Sequence, residues 1–332
     1  MHMSISHSVS AGPQGGVALL FAGQGGQYPG MSHELYHAEP IFREELERLD
    51  AMVTGLGGPR VVPALHRREG PLDDVLVSHP AIFMVQYALA RTLIRHGIFP
   101  AYCLGMSTGE FAAVAVAGGM DAGDALYCVI EQAGALEHAC GNGGMLAVVR
   151  PPRFYRGTPE INQRCSLALA GKAHFVIAGE CEDVQDSLEW LELQGVTKQR
   201  LPVRVGFHSA AIDPGRDRYL HAVEGVPTSR PSSVILSCVT GGPLTARPDA
   251  RHFWDAIREP MKVEQAITSL TRRFRPGAFV DVGPGGVFAT FLRQAGARPF
   301  HSLLTPAGQE LKRLRTCVAS VVGNGRHTPD DN

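Results

Sequence analysis

A chain of 332 residues, 44% of them hydrophobic, holds enough apolar material for one large core or two unequal ones. Its formal net charge of −1 at pH 7 gives no basic excess of the kind phosphate backbones attract, which argues against a nucleic-acid partner. Seven cysteines with no C-x-x-C pair, no long uncharged apolar run and no apolar leader predict a cytoplasmic protein that neither spans nor binds a membrane.

Residues 1–15 are polar and glycine-rich, and with the tail 323–332 they are expected to be disordered or flexible. "GVALLFAG" then reads as a buried strand and "HPAIFMVQYALARTLIRHG" as a helix ending near Gly97. "AYCLG" is a second strand, followed by helices at "STGEFAAVAVAGG" and "DAGDALYCVIEQAGALEHAC". Strands alternating with helices predict a parallel α/β core. The middle changes character: "GGMLAVV", "SLALAGKAHFVIAGE" and "VTKQRLPV" are β-like, with one helix at "CEDVQDSLEWLELQG". This β-rich run predicts an inserted subdomain. The strands "SSVILSCVT" and "AFVDVGPGG" return to the core.

Ser107 stands in a G-x-S-x-G frame between a strand and a helix, in "LGMSTGEFAA". A sharp strand-to-helix turn there exposes the hydroxyl at a helix start, and glycines two residues either side remove side chains that would clash. The competing reading is a plain serine helix cap. A serine nucleophile needs a base. Among fourteen histidines, His208 in "LPVRVGFHSAAIDP" ends an extended run at a turn, where sheet-rim catalytic groups sit. The loop "FAGQGGQYPGM" is either a tight turn or a source of backbone donors. On the second reading, the N–H groups of Gln24 and Thr108 form an oxyanion hole. No dinucleotide or P-loop motif is present, and no metal site is expected.

Taken in order, "FAGQGGQYPGM", "LGMSTGEFAA", "RLPVRVGFHSAAIDP", "FWDAIREPM" and "FVDVGPGGVF" resemble the malonyl-CoA:acyl-carrier-protein transacylases and the acyltransferase domains of polyketide synthases. The resemblance runs from about residue 16 to 305. It implies an α/β-hydrolase-like large domain with a parallel sheet, made of 16–142 and 205–322, and an inserted ferredoxin-like domain at 143–204. It also implies ping-pong acyl transfer through an acyl-serine on Ser107, with His208 as base and no acidic third member. A backbone carbonyl orients the histidine in this family, and the matching position is Ala256. No cofactor is bound; the acyl donor, an acyl-CoA or acyl-carrier protein, brings its own phosphopantetheine. The expected partner is an acyl carrier protein, and the expected state is a monomer.

Relatives using malonyl groups carry an arginine on the helix after the elbow, paired with the substrate carboxylate. Here the matching residue is Ala133, or Gln132 with a one-residue slip. An unpaired buried carboxylate is strongly disfavoured, so the expected substrate is an acyl group without a free carboxylate: a starter, fatty, aminoacyl or peptidyl unit. Met106, where relatives place His, His79, where they often have Gln, and Phe207 complete the expected acyl pocket; Met106 as ordinary core packing is the alternative. Acidic carrier proteins call for a basic rim, for which Arg150, Arg153, Arg156, Arg293 and Arg298 are the candidates, although each alone reads equally as solvated surface. An acyl-carrier hydrolase, a malonyl transacylase with a relocated arginine and a non-enzymatic carrier-protein-binding scaffold with a decayed site are the competing functions.

Overall fold

The computed structural model describes residues 15–67 and 69–324. The expectation of loose ends at 1–15 and 323–332 therefore falls almost wholly outside the described residues. Where it does not, it is corrected at the C-terminal side, because residues 323 and 324 close the helix Glu310–Asn324.

Ten strands are present in the described residues: β1 (Val17–Phe21), β2 (Pro100–Gly105), β3 (Gly143–Val148), β4 (Ser166–Ala170) and β5 (Phe175–Glu180) in the first half. They are followed by β6 (Lys198–Arg200), β7 (Val234–Ser237), β8 (Gly242–Pro243), β9 (Ala278–Asp281) and β10 (Phe300–Ser302). They form two sheets, ordered β10-β9-β1-β2-β7-β8 and β4-β5-β3-β6.

In the first sheet every pairing is parallel except the short β7–β8 edge. The central strand β1, VALLF, is apolar throughout, and Ala18 to Phe21 are fully buried. Such continuous runs are what a parallel strand covered on both faces requires. The chain passes from β1 to β2 on one side and places β9 on the other, so β1 marks the point where strand order reverses. Open parallel sheets bind ligands beyond the carboxyl ends of strands at such a point. Here those ends carry the Gly23–Gly26 loop after β1, Ser107 after β2 and the Gly283–Gly286 loop after β9.

The second sheet is antiparallel and follows a strand–helix–strand–strand–helix–strand order from β3 to β6. Its period-two alternation does two jobs. Leu146 and Val148 of β3 point into a small separate core with Phe175, Ile177, Val184 and Leu191. Met145 and Ala147, between them, point the other way and line a cleft shared with the first sheet. The two units are tied where Met261 N–H donates to the Ala168 carbonyl at 2.8 Å. No helix of the described residues is long and apolar enough to cross a membrane.

Candidate active site

The elbow after β2 is built by close approach. Ser107 takes a left-handed conformation, φ 54°, which costs a non-glycine residue about 1–3 kcal/mol and persists only where the surroundings impose it. A Cβ on Gly109 would lie 2.2 Å from the Phe21 carbonyl oxygen, and one on Gly23 would lie 2.5 Å from the Ser107 Cβ. The β1 loop and the elbow thus pack backbone to backbone, which only glycine at these two positions permits.

The Ser107 hydroxyl donates to His208 Nε2 across 3.0 Å. His208, also left-handed at φ 61°, donates from Nδ1 to the Glu259 carbonyl at 2.7 Å, and its own N–H donates to the Ile257 carbonyl at 2.7 Å. The ring bond to a carbonyl, which only accepts, puts the proton on Nδ1 and leaves a lone pair on Nε2. Burial pushes the imidazole down to about 4, against the Glu259 bond, which favours the charged form, and with help from the nearby Arg258 charge. The ring is therefore neutral at pH 7. Arg258 also clamps Asp213, in the turn after His208, by bonds of 2.6 and 3.1 Å.

The expectation for Ala256 is corrected by this geometry. Ala256 lies within the helix Ala250–Arg258, where carbonyls run along the axis. The chain leaves that helix in an extended conformation at Glu259, ψ 153°, and this exit turns the Glu259 carbonyl towards the imidazole.

Among the described residues, the backbone N–H groups of Gln24 and Thr108 donate no hydrogen bond within the protein. The Thr108 N–H stands at the start of the elbow helix Gly109–Val116, where free donors and the helix dipole favour negative charge. The Gln24 side chain is held from behind, donating to Ser78 Oγ at 3.2 Å and to His79 Nδ1. His79 Nε2–H in turn donates to Gln132 Oε1 at 3.3 Å, and Gln132 donates to the Phe253 carbonyl at 3.1 Å. Burial holds His79 down to about 4, only partly opposed by its Gln132 bond, and so keeps this relay neutral.

Three expected pocket residues are therefore relocated. His79 and Gln132 are wholly buried and Ala133 is 1% exposed. They sit behind the wall rather than in it, because the helices Val75–Arg95 and Ala122–Ala139 turn these positions towards each other and the core. Met106 and Phe207 do line the cleft, and Phe207 stacks on His79 with ring centroids 5.4 Å apart.

The cleft beside Ser107 has a volume of about 460 Å³. Met106, Met145, Leu169, Val176, Phe207 and Phe291 supply much of its wall. Gln24, Ser107, His174, His208, Thr290 and Gln294 are its polar side chains, and no lysine, arginine or carboxylate is among the described residues that line it. His174 is also pushed down by burial, against a weaker opposing pull from Glu264. Arg150, Arg153, Arg156, Arg293 and Arg298 are all exposed, and none is ion-paired among the described residues. Arg150 adjoins Val149, which lines the cleft.

Two buried carboxylates escape a reading of the sequence alone. Glu110, 1% exposed, accepts from Ser237 Oγ at 2.6 Å, Cys238 N–H at 3.0 Å and His252 Nε2 at 2.6 Å. It joins the elbow helix to the helix that presents Glu259. Asp281 accepts from the N–H groups of Gly283 and Phe288 at 3.0 and 3.2 Å, which shapes the loop after β9. Burial raises it to about 7 despite those two bonds. A charge inside an apolar run, as in "GEFAAVAV" or "AFVDV", is the signal that exposes both.

No group of His, Cys, Asp or Glu able to hold a metal occurs among the described residues. The arrangement sets a hydroxyl on a neutral imidazole, beside two N–H groups without a partner among the described residues and an apolar cleft. These features define a candidate site for acyl chemistry on an α/β fold. The comparisons agree with that class. The family described as acyl transferase domain matches residues 18–327, and the chain belongs to it. It is 37% identical to the polyketide biosynthesis acyltransferase homolog PksD of Bacillus subtilis, covering 90% of this chain and 95% of that one. It is 35% identical to the homolog BaeD of Bacillus velezensis, covering 92% and 97%. Among solved structures, a loading acyltransferase from the avermectin modular polyketide synthase superposes with a TM-score of 0.84 at 28% identity, over 93% of this chain and all of that one.

Proposed function

We propose that the protein is an acyltransferase of polyketide biosynthesis that moves an acyl group lacking a free carboxylate onto, or between, acyl carrier proteins. The donor is an acyl-CoA or acyl-carrier thioester. The observation that carries the substrate reading is the apolar cleft, with no cation among its described lining residues to meet an anionic tail. Burying a carboxylate without a partner costs several kcal/mol after relaxation, about 3–5 kcal/mol by analogy with broken buried pairs.

In the first half-reaction His208 Nε2 takes the Ser107 proton as Oγ attacks the thioester carbonyl. The oxyanion rests on the N–H groups of Gln24 and Thr108. Collapse breaks the C–S bond, and the imidazolium returns its proton to the departing thiolate. A second phosphopantetheine thiol repeats these steps in reverse. The Glu259 carbonyl holds the neutral imidazole in one tautomer and keeps the ring oriented when it is protonated, the role an acid plays in a three-residue triad. The strand order of the small sheet supports its description as ferredoxin-like, with 143–204 as its span and 16–142 plus 205–322 as a hydrolase-like large unit. Exposed arginines near the cleft mouth, Arg150 above all, suit an acidic carrier protein.

The test is intact-mass spectrometry of the acyl-Ser107 adduct, followed with and without an acceptor carrier protein. Acyl transfer predicts an adduct that persists alone and discharges on adding the carrier. Rapid decay to free acid without it would replace this reading with a hydrolase.

A further inference from the structure

The molecule has a second, chemically opposite pocket. The helix Phe288–Gln294 is its shared wall: Thr290, Phe291 and Gln294 face the acyl cleft, whereas Ala289 and Arg293 face a cavity of about 560 Å³ on the helix's other side. That volume is in the range of small-ligand sites. Arg293, Lys312, Arg313 and His301 line it, and no acidic residue does so among the described residues. None of the three permanent cations is ion-paired among the described residues. Arg313 is held by carbonyls instead, donating to Gly308 at 3.1 Å and Ser302 at 3.4 Å, and Arg293 donates to Thr290 Oγ1 at 3.2 Å. The nearest acid on its own helix, Glu310, is turned away onto Ser32 N–H at 2.8 Å and Tyr28.

The wall also carries unmet hydrogen-bonding capacity. His301 Nε2, Ser302 Oγ and Thr305 Oγ1 are buried polar atoms with no partner, and all three residues line this cavity. Native proteins leave few such atoms, and several in one place call for a ligand or water. Three cations free of ion pairs, with no acid among the described lining residues, form a donor set for phosphate oxygens.

We propose that this cavity binds phosphate groups, and that its occupant is the phosphate end of the thioester donor or acceptor. The second clause rests on the acyltransferase reading. Phosphopantetheine carriers all end in such a group, as the diphosphate and 3′-phosphate of coenzyme A or as the phosphoserine link of a carrier protein. The cavity lies one helix away from the cleft that takes the acyl end.

The experiment is calorimetric titration of Ser107→Ala protein with adenosine 3′,5′-bisphosphate, repeated on the same protein carrying Lys312→Glu or Arg293→Glu. Both positions are exposed, and unchanged melting curves verify that the variants fold. Saturable binding, weakened about tenfold or more by either charge reversal, is the expected result. No binding up to about 1 mM, or binding indifferent to both reversals, overturns the proposal. The source is distinguished by the KM of each donor with Lys312→Glu in otherwise native protein. A rise of tenfold or more for acyl-CoA assigns the site to coenzyme A, and the same rise for acyl-carrier alone assigns it to the carrier link. The titration needs no turnover, so its failure leaves acyl-Ser107 chemistry standing, and failure to label Ser107 leaves phosphate binding standing.

Discussion

Glu110 offers the sharpest test of how the site is held. Its carboxylate lies inside the core with three donors on it, from Ser237, Cys238 and His252. Glu110→Ala strands all three. Each unmet buried donor costs about 1–3 kcal/mol, and breaking a buried pair about 3–5 kcal/mol in total. Against a slope of about 2–4 °C per kcal/mol for a domain of some 200 residues, the melting temperature falls by roughly 6–20 °C. Glu110→Gln keeps an acceptor for Ser237 and Cys238 and removes the charge, so it loses less. The two variants also differ in how pH acts. Burial on its own would lower His252, but the hydrogen bond and charge of Glu110, aided by Asp249 and Asp255, raise it above its ordinary value of 6.5. A raised histidine adds stability that is complete below its unfolded pKa and is lost as pH rises through the folded one. The difference in melting temperature between wild type and Glu110→Gln is therefore largest below pH 6 and narrows on going to alkaline pH. Thermal melts monitored by circular dichroism from pH 5.5 to 9 give the answer. A gap that widens with pH, or a Glu110→Ala variant within 2 °C of wild type, would refute the reasoning.

Other expectations follow from the same geometry. Because burial holds His208 down to about 4, stopped-flow acylation of Ser107 stays level from pH 8 to about 5.5 and falls only as pH drops through that value; a midpoint near 6.5 would show a solvated imidazole. His79→Leu removes the centre of the Gln24–His79–Gln132 relay. It lowers unfolding free energy by about 1–3 kcal/mol in denaturant titrations and slows acylation, whereas His79→Gln, which keeps polar atoms, restores part of both. Gly23→Ala drives a methyl against Ser107 and abolishes labelling by an acyl thioester, read by intact mass.

The parts of the fold that sequence made legible are those where sterics or burial permit few residue types. Runs such as "VALLF" declare a strand buried on both faces, and the glycines at 105 and 109 declare a tight elbow around Ser107. The alternation in "GGMLAVV" likewise announces a sheet with two apolar faces, here one for its own core and one for the cleft. Directions around a helix were harder. Fifteen residues of Val75–Arg95 are buried, so periodicity does not say which of them meets substrate, and His79 turned inward to Gln24 instead of into the cleft. The Glu259 carbonyl had no signature at all, since a backbone acceptor is available at every residue and only the helix exit selects one. Glu110 and His252 meet across 142 positions of chain, a pairing no local pattern encodes.

The central proposal is that the cleft at Ser107 receives uncharged acyl chains because no cation stands among its described lining residues. The most direct measurement is the rate of Ser107 acylation, by quenched-flow intact mass, for acyl thioesters matched in length with and without a terminal carboxylate. The account predicts that the neutral chain reacts at least about a hundredfold faster, since each 1.4 kcal/mol is a factor of ten. Equal rates, or faster labelling by the carboxylate-bearing chain, would contradict it.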